Sequence, residues 1–496
     1  MADLYPEPMQ AGQKMLDTRL GPVDEERQTF LRKAAFIDQA RLARYATAET
    51  YYDGLQTTYL TDRAKTYLEA NGIAYQENFC EVIVDAMVER LSVVGVRSDS
   101  EVFDAWVWTD WWDHNEGDVL QLTVHTEAAK KGDAFVILEW SAKLGRVCAH
   151  FNRPELMNPV YREGRLMYVA KVWDSEAESP TNPTGMAVRR MNLYYPDRVE
   201  KWFATSSGDK AAWGRWLDDT DTEWPVAWTY EGKPLGIPVI HFANKARGDH
   251  FGRPEHLGAI PQQNRLNKEL LDLSMVLDQL GFPQRYAIGV GDTSGLKNAP
   301  GEVWRTDSTD GTFGQFDAAN PAGPLAAIEA TLVRMGTRSN TPAHRFTLTG
   351  GYPSGEALKV AEAGLTAKAR NRHTVWGGGP WAGTFRMAAA LTIVYGAGSG
   401  AGLTIGLDEL MRLSINPTWA DPESRNEKEH LETLGLMHGL GVSKQTLLTM
   451  MPGIDATQEM KLREQEEDAM AERQARVMDA GLPPPSIAGG VGGPER

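Results

Sequence analysis

Three helix-like stretches between Phe251 and Tyr395, each ended by residues that disfavour a helix, constrain the fold of this chain most. The first is predicted to run from Pro254 to Leu280, and Pro261 marks either a kink or a later start. Leucines recur along it at spacings of four and three, which places them on one face. That apolar face has to be covered by another element. It consists of Leu266, Leu270, Leu273, Leu277 and Leu280.

The second and third stretches are predicted to be joined by a loop. The second helix begins at Pro324 and ends at Asn340, because the residue before Pro342 avoids the α region. The third begins at Ser354, whose hydroxyl can cap it, and reaches about Trp376. The sequence Gly377-Gly378-Gly379-Pro380 is then expected to break or kink this helix before it resumes from Trp381 to Tyr395.

Strands are predicted on both sides of the first central helix. Several strands between Ala134 and Ala204, separated by Gly, Asn, Asp and Pro, are typical of an antiparallel meander, and Pro238–Phe242 predicts one more. Residues 208–224 are polar and are expected to form a loop. A second strand-rich segment, residues 283–322, leaves the first central helix and returns to the second. Its strands are predicted over Arg285–Val290, Gly301–Arg305 and Phe313–Phe316.

Further helices are predicted outside the central region. They are expected over Gly117–Lys131, Thr404–Leu413, Pro422–Gly439, Ser443–Met451 and Thr457–Met478.

Four tryptophans between Val102 and Trp112 have two possible roles. They could stack on bases or sugars, but such a cluster is more often part of a core or an interface. Asp110 and Asp113 flank two of them and could act as the paired carboxylates of a glycoside hydrolase, although two acids beside aromatic residues are common in proteins. The four are Trp106, Trp108, Trp111 and Trp112.

The common catalytic and metal-binding motifs do not occur in this sequence. A phosphate loop, a Gly-x-Ser-x-Gly elbow, a His-Glu-x-x-His helix and paired Cys-x-x-Cys motifs are all missing. Two cysteines are too few for a disulfide framework. The sequence shows no signal peptide and no apolar run long enough to span a membrane. We therefore expect no enzymatic activity, no cofactor, no metal ion and no membrane contact.

Several short motifs, taken together and in order, resemble those of one protein family. The most specific leads from a turn into a long helix, Tyr352-Pro353-Ser354-Gly355-Glu356-Ala357-Leu358-Lys359. Others are Phe251-Gly252-Arg253-Pro254-Glu255, Leu266-Asn267-Lys268-Glu269-Leu270, Gly281-Phe282-Pro283-Gln284-Arg285-Tyr286, Tyr51-Tyr52-Asp53-Gly54 and Asn416-Pro417-Thr418-Trp419-Ala420-Asp421-Pro422. They resemble the portal proteins, or head-to-tail connectors, of tailed bacteriophages. The likeness is greatest to the siphovirus type of Gram-positive and actinobacterial hosts.

The resemblance implies an α+β, portal-like fold with a wing, a stem, a clip, a channel helix and a crown. The segments are residues 1–44, an N-terminal helical segment; 45–250, a mixed α/β wing; 251–282, a stem helix; 283–323, a β-rich clip; 324–340, a second stem helix; 341–353, a tunnel loop; 354–398, a long kinked channel helix; 399–481, a helical crown; and 482–496, a disordered tail. The tail lacks the large apolar residues that ordering would need.

The resemblance also implies the function of a portal, a homododecameric ring at one vertex of the capsid. Double-stranded DNA would enter through its channel during packaging and leave during ejection. The implied partners are a terminase motor, a head–tail adaptor protein, and the major capsid and scaffold proteins. The expected location is the virion, after assembly in the host bacterial cytoplasm. The formal net charge of −16 fits a conduit that grips DNA weakly, although taken alone it is explained more simply by solubility.

Two groups of candidate site residues follow from this resemblance. The tunnel loop would face DNA without reading bases, through Thr341, His344, Arg345, Phe346, Thr347 and Thr349. The third helix is locally basic, and we favour pairing with acids of a neighbouring subunit over contact with the channel's DNA. Its basic residues are Lys359, Lys368, Arg370 and Arg372.

Two other functions stay open at this point. One is a ring-forming virion or tail structural protein that does not conduct DNA. The other, of a different class, is a tryptophan-rich carbohydrate-active enzyme.

Overall fold

The computed structural model describes residues 23–56, 60–62, 65–66, 70, 77–175, 188–204, 211–217, 223–246, 248, 250–281, 285–291, 303–305, 309–316, 320–346, 355–396, 403–423, 434–449 and five residues between 459 and 465. The chain forms two units, residues 1–423 and 424–496. The first unit mixes helices with small antiparallel sheets, so its fold is α+β, as predicted.

Short helices and one strand open the first unit. They are α1 (Glu25–Ala34), α2 (Gln39–Tyr52), α3 (Cys80–Val88), β1 (Val93–Arg97) and α4 (Glu101–Trp106). The Asp24 carboxylate accepts a hydrogen bond from the Arg27 amide at 2.7 Å and so caps α1. A π-helical turn, Val107–Trp112, continues α4.

The next helix and the sheet beside it form the main core. Helix α5 spans Gly117–Lys131, the range that the sequence predicts. It packs on a three-stranded antiparallel sheet of β2 (Asp133–Ser141), β3 (Arg146–Asn152) and β12 (Val239–Ala243), in which β2 is central. Strand β2 is buried along most of its length, because elements cover it on both faces.

A second sheet follows in the chain. Its strands are β4 (Met157–Arg162), β5 (Arg165–Ser175), β6 (Val188–Tyr194), β7 (Arg198–Ala204) and β8 (Gly214–Arg215), in sequence order, with β9 (Val226–Ala227) also on β7. The predicted meander is thus confirmed from β4 to β7. Its first two strands, β2 and β3, belong to the other sheet instead. A small hairpin, β10 (Thr229–Tyr230) and β11 (Lys233–Pro234), precedes β12.

The prediction of a polar loop over residues 208–224 is wrong for its described part. Trp213 and Trp216 are buried, and strand β8 lies between them. The Gln28 side chain donates to the Trp213 carbonyl at 2.7 Å and accepts from the Trp213 amide at 2.8 Å. This pairing with α1 holds the segment in the fold, and it could not be foreseen from local composition.

The central helices are α6 (Ile260–Gly281), α7 (Ala322–Ser339), α8 (Gly355–Trp376) and α9 (Ala382–Tyr395). Helix α6 starts next to Pro261, which makes the later of the two predicted starts the correct one. Between α6 and α7 lies a hairpin of β13 (Arg285–Ile288) and β14 (Thr312–Gln315). The strand predicted over Gly301–Arg305 is not found in its described part, residues 303–305.

A π turn, Gly377–Trp381, joins α8 to α9. Of the two outcomes that the sequence predicts, a break or a kink, the break does not occur. The Ala382 amide donates to the Gly377 carbonyl five residues earlier, which is the hydrogen bond of a π-helix. In an α-helix Pro380 would clash with the carbonyl of Trp376, four residues before it. The wider turn accommodates the proline, so the chain stays helical.

The two π turns meet in the core. The rings of Trp112 and Trp381 lie 5.6 Å apart, and Trp111 packs edge-on against Phe385, also at 5.6 Å. Gly117 is required here, because a Cβ on it would lie 2.1 Å from the Trp112 ring. The two π turns therefore place aromatic rings between α9 and the layer that α5 forms with its three-stranded sheet.

The first unit ends with a short helix and a strand. Helix α10 (Leu407–Leu410) is much shorter than the predicted helix over Thr404–Leu413. Strand β15 (Asn416–Trp419) pairs antiparallel with β1 and so joins distant parts of the chain.

In the second unit, residues 434–439 are helical and α11 spans Lys444–Thr449. The predicted tail, residues 482–496, and most of the helix predicted over Thr457–Met478 lie outside the described residues.

Candidate functional site

The described part of the predicted tunnel loop begins with a sharp turn after α7. Asn340 closes the helix in the left-handed conformation, with φ of 52°, which asparagine tolerates better than most residues. The Thr341 amide then donates to the Gly336 carbonyl at 3.0 Å. One 3-10 turn, Ala343–Arg345, follows. Thr347 and Thr349 lie outside the described residues.

Two of the predicted loop residues are buried in the chain itself. Thr341 is 3% exposed, and its hydroxyl accepts from Ser339 at 3.0 Å. Phe346 is 7% exposed and packs edge-on against Phe79, with ring centroids 5.5 Å apart. The two residues anchor the start of the loop to the protein, a role that the sequence analysis did not assign to them.

The two basic residues of the loop turn have acidic partners. Arg345 pairs with Glu89 at 2.8 Å, and the His344 ring lies 3.6 Å from a carboxylate oxygen of Glu362. Glu362 is buried and also pairs with Arg90 at 3.2 Å. Arg90 in turn donates to the Pro422 carbonyl. The loop start is thereby connected to the end of α3, to α8 and to the last residues of the first unit.

The basic residues of α8 divide into two exposed residues and two, Lys368 and Arg372, that are largely covered. Lys359 is exposed, and so is Arg370, which pairs with Glu423. The Lys368 ammonium donates to the Ser339 carbonyl at 2.7 Å and contacts Glu255. The sequence predicts acids of a neighbouring subunit as partners of these basic residues, but Lys368 finds its partners in its own chain.

Arg372 is likewise engaged within the chain. Its Nε donates to the Asn244 side-chain oxygen at 2.6 Å, and its Nη2 lies 3.9 Å from Glu255. Its side chain is only 9% exposed. The partner residues lie far away in the sequence, which is why helical spacing alone did not reveal them.

Glu255 is the charge around which these contacts converge. Its side chain is fully buried, and its carboxylate pairs with Lys245 at 2.9 Å as well as with Lys368. Burial alone would raise the pKa of Glu255, but the two ammonium groups outweigh it and lower that pKa to about 2. Glu255 therefore stays ionised, and Lys368 joins it to the C-terminal carbonyl of α7.

The motif that contains Glu255 is held by close backbone contacts. The Asn244 amide donates to the Gly132 carbonyl at 2.7 Å, and the Arg253 amide donates to the Asn244 carbonyl at 2.6 Å. A Cβ on Gly252 would lie 1.8 Å from the Gly132 carbonyl oxygen, so no side chain fits there. The glycine of the motif thus has a packing reason, and Glu255 is placed by it.

We call the contacts among Glu255, Lys368, Asn244 and Gly252 the Glu255 junction. A buried aspartate, Asp133, adds to it. Asp133 accepts from the Gly252 amide at 2.8 Å, from the Tyr45 hydroxyl at 2.7 Å and from His241 at 2.8 Å. Burial opposes its charge, but the hydrogen bond and charge of His241 and the other donors hold the pKa of Asp133 below its usual value. The other ring nitrogen of His241 meets the Tyr161 hydroxyl at 2.9 Å. Sequence reasoning missed Asp133 and Asn244. Asp133 follows Gly132 at the start of β2 and Asn244 follows the end of β12, and no motif marks either position.

A buried histidine links the π turn of the long helix to α5. The His125 ring donates to the Leu91 carbonyl at 2.8 Å and accepts from the Trp381 indole at 3.0 Å. Its ring also stacks on Trp376, with centroids 5.1 Å apart. Full burial lowers the pKa of His125 to about 3, so the ring is neutral with its proton on Nδ1.

The tryptophan cluster is mainly core, which agrees with the interpretation that the sequence favoured. Trp106, Trp111 and Trp112 are buried. Asp110 pairs with His114 at 3.0 Å and lines a cavity of about 210 Å³ beside Trp106, but Asp113 is not part of its lining. The two carboxylates do not both line this cavity, so it gives no support to the paired-carboxylate site of a glycoside hydrolase.

Other kinds of site find no support in the part of the chain that the structure describes. No group of three or more His, Cys, Asp or Glu side chains there is placed to hold a metal ion. None of the helices with described residues has the length and apolar character that a bilayer crossing requires.

Comparison with known proteins agrees with the motifs. No curated protein matches the chain. A protein family described as "Phage portal protein, SPP1 Gp6-like" matches residues 34–474, which is most of the chain and includes the loop, the central helices and the Glu255 junction. The chain therefore belongs to the portal proteins of tailed phages, structural proteins of the virion that serve in DNA packaging.

Proposed function

We propose that the chain assembles into a ring of twelve subunits at one vertex of the capsid. Its channel carries double-stranded DNA inward during packaging and outward during ejection. The ring docks a terminase motor, which supplies the force, and later a head–tail adaptor. Membership of the phage portal family supports this proposal, and so does the surface of the single chain.

The observation that most supports assembly into a ring is the apolar surface that the single chain leaves exposed. The outer parts of the central helices expose Leu277 (48%), Leu280 (42%), Leu325 (47%) and Val360 (77%). The β13–β14 hairpin exposes Ile288 at 62%. An isolated two-stranded hairpin is only marginally stable in water, and contiguous exposed apolar surface usually marks an interface. Neighbouring subunits would cover both.

Contact with DNA is assigned to the loop between α7 and α8. Its base is fixed by Phe346 and by the Lys368 contact with Ser339. Because Thr341 and Phe346 are buried, we assign the contact to His344 and Arg345 at the turn and to Thr347 and Thr349 beyond it. Weak contacts of this kind suit a channel through which DNA must slide.

Two measurements test the ring and its channel. Native mass measurement of the full chain should give a closed oligomer, and negative-stain images along its axis should show a continuous channel wide enough for duplex DNA. A stable monomer at high concentration would contradict the ring. A closed ring without a channel would favour the alternative, a virion or tail protein that does not conduct DNA.

The loop assignment has a test of its own. Replacing Thr347 and Thr349 by glycine keeps the Phe346 anchor and should leave rings and empty capsids intact, while the amount of packaged DNA falls. The control replaces Thr181 and Thr184 by glycine, outside the loop. If the loop variant packages a full genome as the parent does, the DNA-contact assignment fails while the ring stands.

A further inference from the structure

A small basic pocket lies beside the Glu255 junction. It has a volume of about 160 Å³ and is lined by three cationic side chains, Lys245, Arg253 and Arg338, together with Glu255 and Ser339. The pocket lies where the Phe251–Glu255 motif, the start of α6 and the end of α7 meet. A concentration of positive charge is unexpected in a chain with a formal net charge of −16.

The charge of this pocket is not balanced. Glu255 already meets Lys245, Lys368 and Arg372. Arg253 and Arg338 form no ion pair with any carboxylate of the described residues. Among the residues that line the pocket or contact Glu255, cations therefore outnumber carboxylates by five to one. Clustered cations repel one another, so an anion bound among them would be stabilised.

The backbones that carry the two arginines are held in place before any ligand binds, since Arg338 lies in the last turn of α7. The Arg253 backbone is fixed at both ends, since its amide donates to Asn244 and its carbonyl accepts from the Asn244 side chain at 2.8 Å. Arg338 extends over Gly258, where a Cβ would lie 3.7 Å from its Nε. Because these backbones are already fixed, binding an anion costs less conformational entropy.

We propose that Lys245, Arg253 and Arg338 form a binding site for one phosphate group, either a free phosphate ion or a phosphodiester of a DNA backbone. Guanidinium groups bind phosphate oxygens in a bidentate manner. A free phosphate ion offers more acceptor oxygens and, near neutral pH, more charge than a carboxylate does, which suits several converging cations. All three cationic residues of this site belong to one chain, so the site does not require the ring or the channel.

Calorimetric titration of the full-length protein with inorganic phosphate, at constant ionic strength in chloride, tests the site. We expect one phosphate per chain. The Arg253→Gln/Arg338→Gln variant should bind at least about tenfold more weakly. The matched control is Arg334→Gln, an exposed arginine one turn earlier on α7, which should bind as the parent does. Equal thermal unfolding of the two variants would show that folding is preserved.

A second titration identifies the source of the phosphate. Displacement of bound phosphate by a short DNA duplex would support the site and assign it to the DNA backbone. Phosphate binding without such displacement would support it as a site for the free ion. The proposal is overturned if the parent binds no phosphate or if the double variant binds it equally well. It is also overturned if the double variant changes only the oligomeric state, because the arginines would then pair with carboxylates of a second copy.

Discussion

Glu255 is a buried carboxylate whose side chain contacts four residues from separate parts of the described chain. Its carboxylate is shared by Lys245 and Lys368, and Arg372 and Asn244 lie beside it. The Glu255 amide also donates to the Ala129 carbonyl at 2.8 Å, at the end of α5. The buried charge therefore links α8 to the C-terminal end of α7 through Lys368, and the Glu255 backbone adds the end of α5.

Replacing Glu255 by glutamine should strongly destabilise the protein. The change leaves buried cations without their counter-ion, a loss of about 3–5 kcal/mol for removal of one partner of a buried pair. The control is Lys268→Met, which removes an exposed ion pair with Asp272 and should change the unfolding free energy by less than about 1 kcal/mol. Denaturant unfolding measures both, and a similar small effect for the two variants would contradict the role of Glu255.

Stability should fall as the pH drops below about 6.5, because His125 is buried as a neutral ring. Its folded pKa is about 3, whereas an unfolded histidine titrates near 6.5. Between these values the unfolded chain binds the extra proton, so stability is lost as pH decreases, by about 1.4 kcal/mol per pH unit at most. Glu255, with its lowered pKa, adds its own loss only at lower pH, from about 4.5 downward.

The pH effect can be assigned to His125 by comparing slopes. The unfolding free energy of a His125→Gln variant, measured from pH 7 to pH 5, should depend less on pH than that of the parent, whatever its absolute stability. Glutamine can still donate and accept hydrogen bonds but does not titrate. An unchanged slope would mean that other groups, such as the buried His256, cause the effect.

At the scale of elements, the π turn between α8 and α9 explains how the long helix stays continuous. Trp376 donates to the Ala243 carbonyl at 3.0 Å, and Trp381 donates to His125. These two residues are five apart, a spacing that in an α-helix places them on different faces. The π turn brings both into one core.

Two glycines of this turn should respond in opposite ways to substitution by alanine. A Cβ on Gly377 would lie 2.9 Å from the Trp419 indole nitrogen, whereas a Cβ on Gly378 would meet nothing within 4 Å. We expect Gly377→Ala to lower the unfolding free energy by about 1–3 kcal/mol, and Gly378→Ala to change it little or raise it by up to about 1 kcal/mol. Thermal unfolding of both variants provides the test, and equal losses would contradict this packing.

Sequence patterns predicted the elements better than their partners. The range of helix α5 agrees with the sequence prediction, and the β4–β7 meander was predictable because turn residues separate its strands. The burial of Trp213 and the π turn depend on contacts or geometry that no local pattern encodes. The same holds for the site. A loop between α7 and α8 could be predicted from the sequence. The pairing of Lys368 with Glu255 could not, because it joins residues far apart in the chain.

At the scale of the whole molecule, the central helices are well packed at one end and exposed at the other. Leu266 and Met335 are buried between α6 and α7, together with Phe346. Toward the hairpin, Leu277, Leu280 and Leu325 are exposed. The buried end gives each chain its own stability, and the exposed end is the surface that we assign to neighbouring subunits.

Polar substitutions at the exposed end should weaken assembly without unfolding the chain. We expect the Leu277→Gln/Leu280→Gln variant to shift the oligomer toward smaller species in native mass measurements, with helix content unchanged by circular dichroism. The matched control is Leu144→Gln, a leucine that is 52% exposed on the turn between β2 and β3. Intact rings in the double variant would place the subunit interface elsewhere.

The π turn also has a consequence for how this sequence can change by insertion and deletion. A π turn contains one residue more than the α turn that it replaces. Deleting Gly378 or Gly379 would leave the two tryptophans four residues apart, a spacing that keeps them on one face of an ordinary α-helix. In such an α-helix Pro380 would clash with the backbone carbonyl four residues before it. The additional glycine and the proline are therefore a linked pair, and a relative that lacks one should also lack the other.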